Sequence, residues 1–188
     1  GCPASAVPDS PGCIAISYPK LFPSGYLRAG ILLEIGARGA WIPHGERTVA
    51  PFAAEAYPGL FANPQASVVA TLPERTFWEK IAVLHSLALL PDERPVPRRS
   101  SRHCYDAVML ARSPSVRAAA LGDPSLPEDV IAFSNRFFRQ SWTHGHPPQP
   151  GSVRLVPPPR VEAALRADYE AMQEMFWGKA PTTRAREN

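Results

Sequence analysis

Three cysteines in 188 residues leave little scope for cross-linking. Cys2, Cys13 and Cys104 are odd in number and form no C-x-x-C pair, which argues against a disulfide framework or a thiolate zinc site. That usage fits a reducing, cytoplasmic setting. No apolar run approaches the roughly eighteen residues that would span a bilayer, so no membrane role is expected. The opening stretch GCPASAVPDSPG has neither a basic region nor an apolar core and does not form a signal peptide. It also lacks an initiator methionine, as a fragment would. The net charge is only +3, with a pI near 8.9, which permits an RNA or nucleotide ligand without arguing for one. There is no internal repeat. The H-x-H pair His144 and His146, set in a Pro/Gly loop, is too weak a signal for a metal site.

What is plentiful is proline. Twenty-three prolines fall mainly between the apolar stretches, so short elements joined by stiff connections are expected. A 45% hydrophobic content in a chain this long supports one sizeable core. Residues 1–12 read as a loose leader. CIAISYP, from Cys13, reads as a strand. YLRAGILLEIGA (Tyr26 to Ala37) is the strongest strand, and its Ile31-Leu32-Leu33 run suggests cover on both faces and hence a central position. Glu34 interrupts that run. Its carboxylate either turns to solvent or pairs with Arg28 or Arg38, or it faces a cleft as a metal ligand. A short strand or turn of helix is expected around 49–57, and SVVATL (67–72) is β-branched and reads as another strand.

The chain is organised around 71–112, which reads as strand end, helix, loop, helix. Thr71 and Glu74 have the spacing of a capping box, with Pro73 in the first turn. Phe77, Ile81, Leu84 and Ala88 recur at helical spacing, while Arg75, Glu79 and Ser86 fall on the opposite, wet face. Lys80 is the misfit, because it lies inside the apolar arc. It either snorkels to the edge of the core or points into a cleft. On the second helix, Arg102 and Asp106 are four residues apart and share a face with Met109 and Leu110. That spacing permits a surface ion pair, or charges that meet Lys80 across one cleft, where phosphate is the common ligand of lysine and arginine. The intervening PDERPVPRRSSRH carries Arg94, Arg98, Arg99, Arg102 and His103, either solvated or set against phosphate.

Beyond Arg112 the pattern is helical. Helices are expected at 114–121, at 127–140 with Val130, Phe133, Phe137 and Phe138 as a core stripe, and at 161–177 with Val161, Leu165, Tyr169, Met172 and Phe176 on one face. The tail 181–188 should fray. The organisation expected is therefore a leader at 1–12, a strand-bearing unit with the two motif helices at 13–112, and a helical region at 113–180. The class is α+β.

LPERTFWEKIAVLH followed by RRSSRHCYDAVML resembles the lysine helix and the R-x-x-R-x-x-x-D helix of the AbiEii/AbiGii nucleotidyltransferase toxins of type IV toxin–antitoxin and abortive-infection systems. ISYP (16–19), ILLEIGARGAWIP (31–43), LVPPP (155–159) and DYEAMQEMFWG (168–178) extend the resemblance over most of the chain after about Cys13.

The resemblance implies part of a nucleotidyltransferase-type mixed sheet followed by a helical half. It implies transfer of a nucleotide from an NTP, with Mg²⁺, to an RNA acceptor such as tRNA, and a cognate antitoxin. Lys80, Arg102, Arg98 and Arg99 would hold the nucleotide, Lys80 and Asp106 would serve catalysis, and Glu34 would be both a catalytic carboxylate and a metal ligand. The family's Gly-Ser turn with a following D-x-D or D-x-E is not found before Glu34, which points to the C-terminal part of such an enzyme. A sheet so shortened should show an open edge or an apolar face. The alternatives are an inactive module that binds nucleotide, RNA or antitoxin, and a metal-dependent nuclease built on Glu34. The nuclease reading is weakened because Gly36 stands where such sites place a lysine.

Overall fold

The computed structural model describes residues 3–7, 12–36, 42–138, 140–143, 146–148 and 151–176. Arg38, His144, Trp177 and the tail 181–188, which carry some of the expectations above, lie outside them.

Strands β1 (Ala4–Ala6), β2 (Cys13–Ser17) and β3 (Gly30–Glu34) form one antiparallel sheet in the order β1-β2-β3. Strands β4 (His44–Val49) and β5 (Ala66–Thr71) form a second, antiparallel pair. The class is α+β, as the sequence suggests, but the strands of 13–72 do not join into one mixed sheet. Each pairs with a neighbour in the chain through a loop, whereas parallel pairing needs a long crossover. Residues 4–6, expected within the loose leader, instead pair with Ile14 to Ile16.

β3 is an edge strand rather than a central one. Its register sets Ile31 opposite Ile16 and Leu33 opposite Ile14, so these four side chains share one face. Ile31 is 54% and Leu33 42% exposed, so the apolar run is not covered on both faces.

The first helix, α1 (Phe52–Ala56), is a single short turn that buries none of its side chains. The core belongs to α2 (Pro73–Ala88), α3 (Ser101–Arg112), α4 (Pro114–Gly122), α5 (Ser125–Phe137) and α6 (Pro159–Ala171). Trp78, Ile81, Ala107, Ala120, Leu126 and Val130 make one buried cluster, and Leu87, Leu90, Val161 and Leu165 a second. Trp78 also donates its indole N–H to Ala120 O at 2.9 Å, tying α2 to α4.

α2 opens on Pro73 without a capping box, because Thr71 is spent pairing with His44 in the β4–β5 ladder. α2 is also the central helix, so its polar face is wet only in part: Glu79 keeps its side chain in solvent, but Arg75 and Ser86 do not lie free on a surface. Arg75 is only 3% exposed; it bonds Glu79 at 3.1 Å and Ile42 O at 2.6 Å, and lies over the Phe133 ring. Ser86 meets the Trp142 indole at 3.1 Å. His85 is fully satisfied, with Nε2 against His146 O at 2.7 Å and Nδ1 accepting from Arg154 N–H at 2.9 Å.

The expected stripe of α5 holds at Val130 but not at its phenylalanines. Leu126, Pro127, Val130 and Ile131 are buried, whereas Phe137 and Phe138 are exposed and cluster with Phe133. On α6 the expected face is confirmed: Val161, Leu165 and Met172 are buried and Phe176 meets Tyr105 and Tyr169, although the last turn tightens to 3-10 geometry at Met172–Met175.

Candidate functional site

Lys80 lies on the arc of α2 that faces α3, and its ammonium stands 3.0 Å from Asp106 Oδ2. The two side chains are 22% and 36% exposed, so the pair sits at the rim of the core with solvent beside it. The misfit lysine thus resolves by pairing across two helices. Asp106 is engaged with Lys80 rather than with Arg102, whose side chain is exposed on the first turn of α3.

His103, one turn before Asp106, belongs to the same cluster. Burial, then the charges of Lys80 and Arg102, pull its pKa down to about 4, with Asp106 opposing. The imidazole is therefore neutral near pH 7. Its Nδ1 is buried and has no hydrogen-bond partner among the described residues.

The turn that launches α3 is held from a distance. Arg99 has φ 62, uncommon for a side chain other than glycine, and Ser100 is right-handed helical. Successive N–H groups in such a turn make a cradle for an anion. The anion is the Asp168 carboxylate of α6, which accepts from Arg99 N–H at 2.9 Å, Ser101 N–H at 2.9 Å and Ser101 Oγ–H at 2.6 Å. Burial alone would raise the pKa of Asp168. The bonds from Ser101 and Arg99 outweigh it and hold the carboxyl below its ordinary value. The one sequence signal of this contact is that Asp168 heads the DYEAMQEMFWG element.

Among the expected phosphate ligands, Arg98 and Arg102 are exposed, while the Arg99 guanidinium packs 5.0 Å from the Tyr26 ring centroid. Glu34 is exposed at the end of β3, opposite Cys13. Nothing among the described residues ties it to Lys80 or Asp106, and no group of three His, Cys, Asp or Glu side chains converges there. Mg²⁺ takes near-octahedral oxygen ligation from one or two carboxylates together with waters and substrate phosphates, and the one candidate carboxylate here stands apart from the Lys80–Asp106 pair. The described residues do not by themselves fit that ion.

A groove of about 840 Å³ runs between α2, α3, α6 and residues 155–157, with Phe77, Leu84, Tyr105, Met109, Leu155 and Tyr169 among its walls. Neither Lys80 nor Asp106 lines it. The charges meet each other rather than facing into that groove.

Together these features define a class: an α+β chain in which two packed helices present a lysine–aspartate pair beside exposed arginines. Residues 3–187 match the family model described as the nucleotidyl transferase AbiEii toxin of the type IV toxin–antitoxin system, and the chain belongs to that family. Membership carries a nucleotidyltransferase-like toxin role and implies a cognate antitoxin. No curated protein and no solved structure matches the chain. Among the described residues, no helix is long and apolar enough to cross a membrane.

Proposed function

We propose that the chain acts in NTP-dependent nucleotide transfer to an RNA acceptor such as tRNA, with Lys80 and Asp106 at the centre of the site. The observation that carries this reading is the 3.0 Å Lys80–Asp106 contact across α2 and α3 in a chain of this family. In the reaction an acceptor hydroxyl attacks the α-phosphorus of the NTP, the bond to the β-phosphate oxygen breaks, pyrophosphate leaves and the hydroxyl proton passes to a base. The Lys80 ammonium neutralises phosphate charge, aided by the exposed Arg98 and Arg102. Arg99, packed against Tyr26, contributes through the turn it shapes. Asp106 holds Lys80 before the nucleotide arrives and accepts the acceptor's proton afterwards. Glu34, exposed at the end of β3 and apart from Lys80 and Asp106, is given no step in this scheme, and none is routed through Mg²⁺.

The test is transfer of labelled NTPs to bulk tRNA. Transfer that disappears in Lys80→Ala and Asp106→Ala, with both variants folded, supports the assignment; wild-type transfer in both overturns it. The isolation of Glu34 from other carboxylates favours a second reading, a catalytically inactive module that binds nucleotide, RNA or antitoxin. NTP binding without magnesium dependence or turnover would identify it.

A further inference from the structure

The contact between α6 and the start of α3 has a consequence for the site. An α-helix leaves its first N–H groups without partners, and Ser100, at the N-cap position of α3, makes no side-chain cap. The cap comes from Asp168 instead, 67 residues away from Ser101 in sequence. Ser101 is 1% exposed and Val161, Leu165 and Met172 on the same helical stretch are buried, so α6 is fixed where it stands. The loop between β2 and β3 touches both partners of this contact, since Ser24 bonds Glu174 in the 3-10 turn after α6 and Tyr26 lies under Arg99 in the turn before α3. Asp106 and His103 follow within two turns of the capped residues.

We propose that Asp168 is a positioning residue for the Lys80–Asp106 pair, acting as an internal anion in the turn before α3. The inference rests on the reading of that pair as the working site. Oδ2 takes two donors and Oδ1 one, so removal of the carboxylate leaves three donors orphaned at a buried helix start. The turn then loses the interaction that holds Arg99 at positive φ. α3 shifts or frays from its first turn, and the Lys80–Asp106 contact lengthens or breaks.

The experiment follows the ¹⁵N resonance of Lys80 Nζ and the ¹³Cγ resonance of Asp106 in the full chain, neither of which requires nucleotide. In Asp168→Ala both should move to the positions they take in the unpaired variants, Asp106→Asn for the lysine and Lys80→Met for the aspartate. Titrated sodium formate, which can enter the vacated cradle, should return them, whereas sodium chloride at equal ionic strength should not. A brace that served stability alone would lower the melting temperature and leave both resonances in place. That outcome, in folded Asp168→Ala, overturns the proposal. If Asp168→Ala does not fold, Ser101→Ala decides: it removes one donor of three, and a partial movement of both resonances supports the proposal while no movement overturns it. Movement in a chain that transfers no nucleotide would refute the transfer reading and leave the positioning role standing.

Discussion

An ammonium held 3.0 Å from a carboxylate is already partnered, and a phosphate must compete with that carboxylate. The two members of the pair should therefore fail differently. Asp106→Asn removes the competitor and should leave NTP affinity equal or tighter, while transfer falls by about 10²- to 10⁴-fold with loss of the base. Lys80→Ala should lose affinity and transfer together. Because the pair is partly solvated, either change should cost about 1 kcal/mol of stability or less. Nucleotide titration, transfer rates and denaturant melts on the same samples separate these outcomes. His103 gives a second test. Its pKa, lowered to about 4 by burial and then by Lys80 and Arg102, lies below the ordinary histidine value of about 6.5. Between those values the unfolded chain binds the proton and the folded chain does not, so stability falls as pH drops through that window. Asp168, also depressed, adds a loss of the same sign further into acid, below the ordinary carboxylate range. An NMR titration of His103 should give a midpoint near 4, and His103→Gln should remove the first part of the acid loss while sparing the second.

At the scale of elements, position in the fold overrides local pattern. Lys80 could be placed in the arc facing α3 by counting alone, because helical periodicity does not depend on what lies around the helix. The opposite face of α2 could not, because a sequence does not announce that α5 and Trp142 will cover it; Arg75 reads as a surface residue and is buried. Thr71 likewise has the chemistry of a cap, yet the ladder to β4 claims its backbone and moves the helix start to Pro73. Phe133, Phe137 and the C-cap Phe138 draw the expected core stripe toward the end of α5, while the buried line runs from Val130 back through Leu126. Asp168 shows only as the first residue of DYEAMQEMFWG, because its partners lie 67 and 69 residues away and no short-range pattern connects them. The α5 assignment can be checked by truncation. Leu126→Ala, at a site 3% exposed, should cost about 2–5 kcal/mol, whereas Phe138→Ala, at 54% exposure, should cost under about 1 kcal/mol. Equal losses in urea melts would place the core of α5 on its aromatic face instead.

For the whole molecule, the distribution of burial predicts uneven stability. Every buried hydrophobic side chain among the described residues lies between Trp78 and Met172, and none lies in β1, β2 or β3. The three-stranded sheet keeps its backbone hydrogen bonds but has little apolar burial to hold it, apart from its moorings at Ser24 and Tyr26. Regions with few buried contacts open at free energies well below the global value. Amides of β2 and β3 should thus exchange with solvent orders of magnitude faster than those of α2, and at a rate that responds little to Leu126→Ala, which destabilises the helical body alone. The exposed row of Ile31 and Leu33 adds a second consequence, because an apolar face beside an open strand edge is a site of non-specific association. Ile31→Lys should cost less than about 1 kcal/mol, since the side chain is half in water already, and should lower concentration-dependent association in sedimentation. If instead Ile31→Lys unfolded the chain, or if β2 and β3 exchanged as slowly as α2, the sheet would be part of the cooperative core. Its burial would then have to come from contacts that the helical body does not supply.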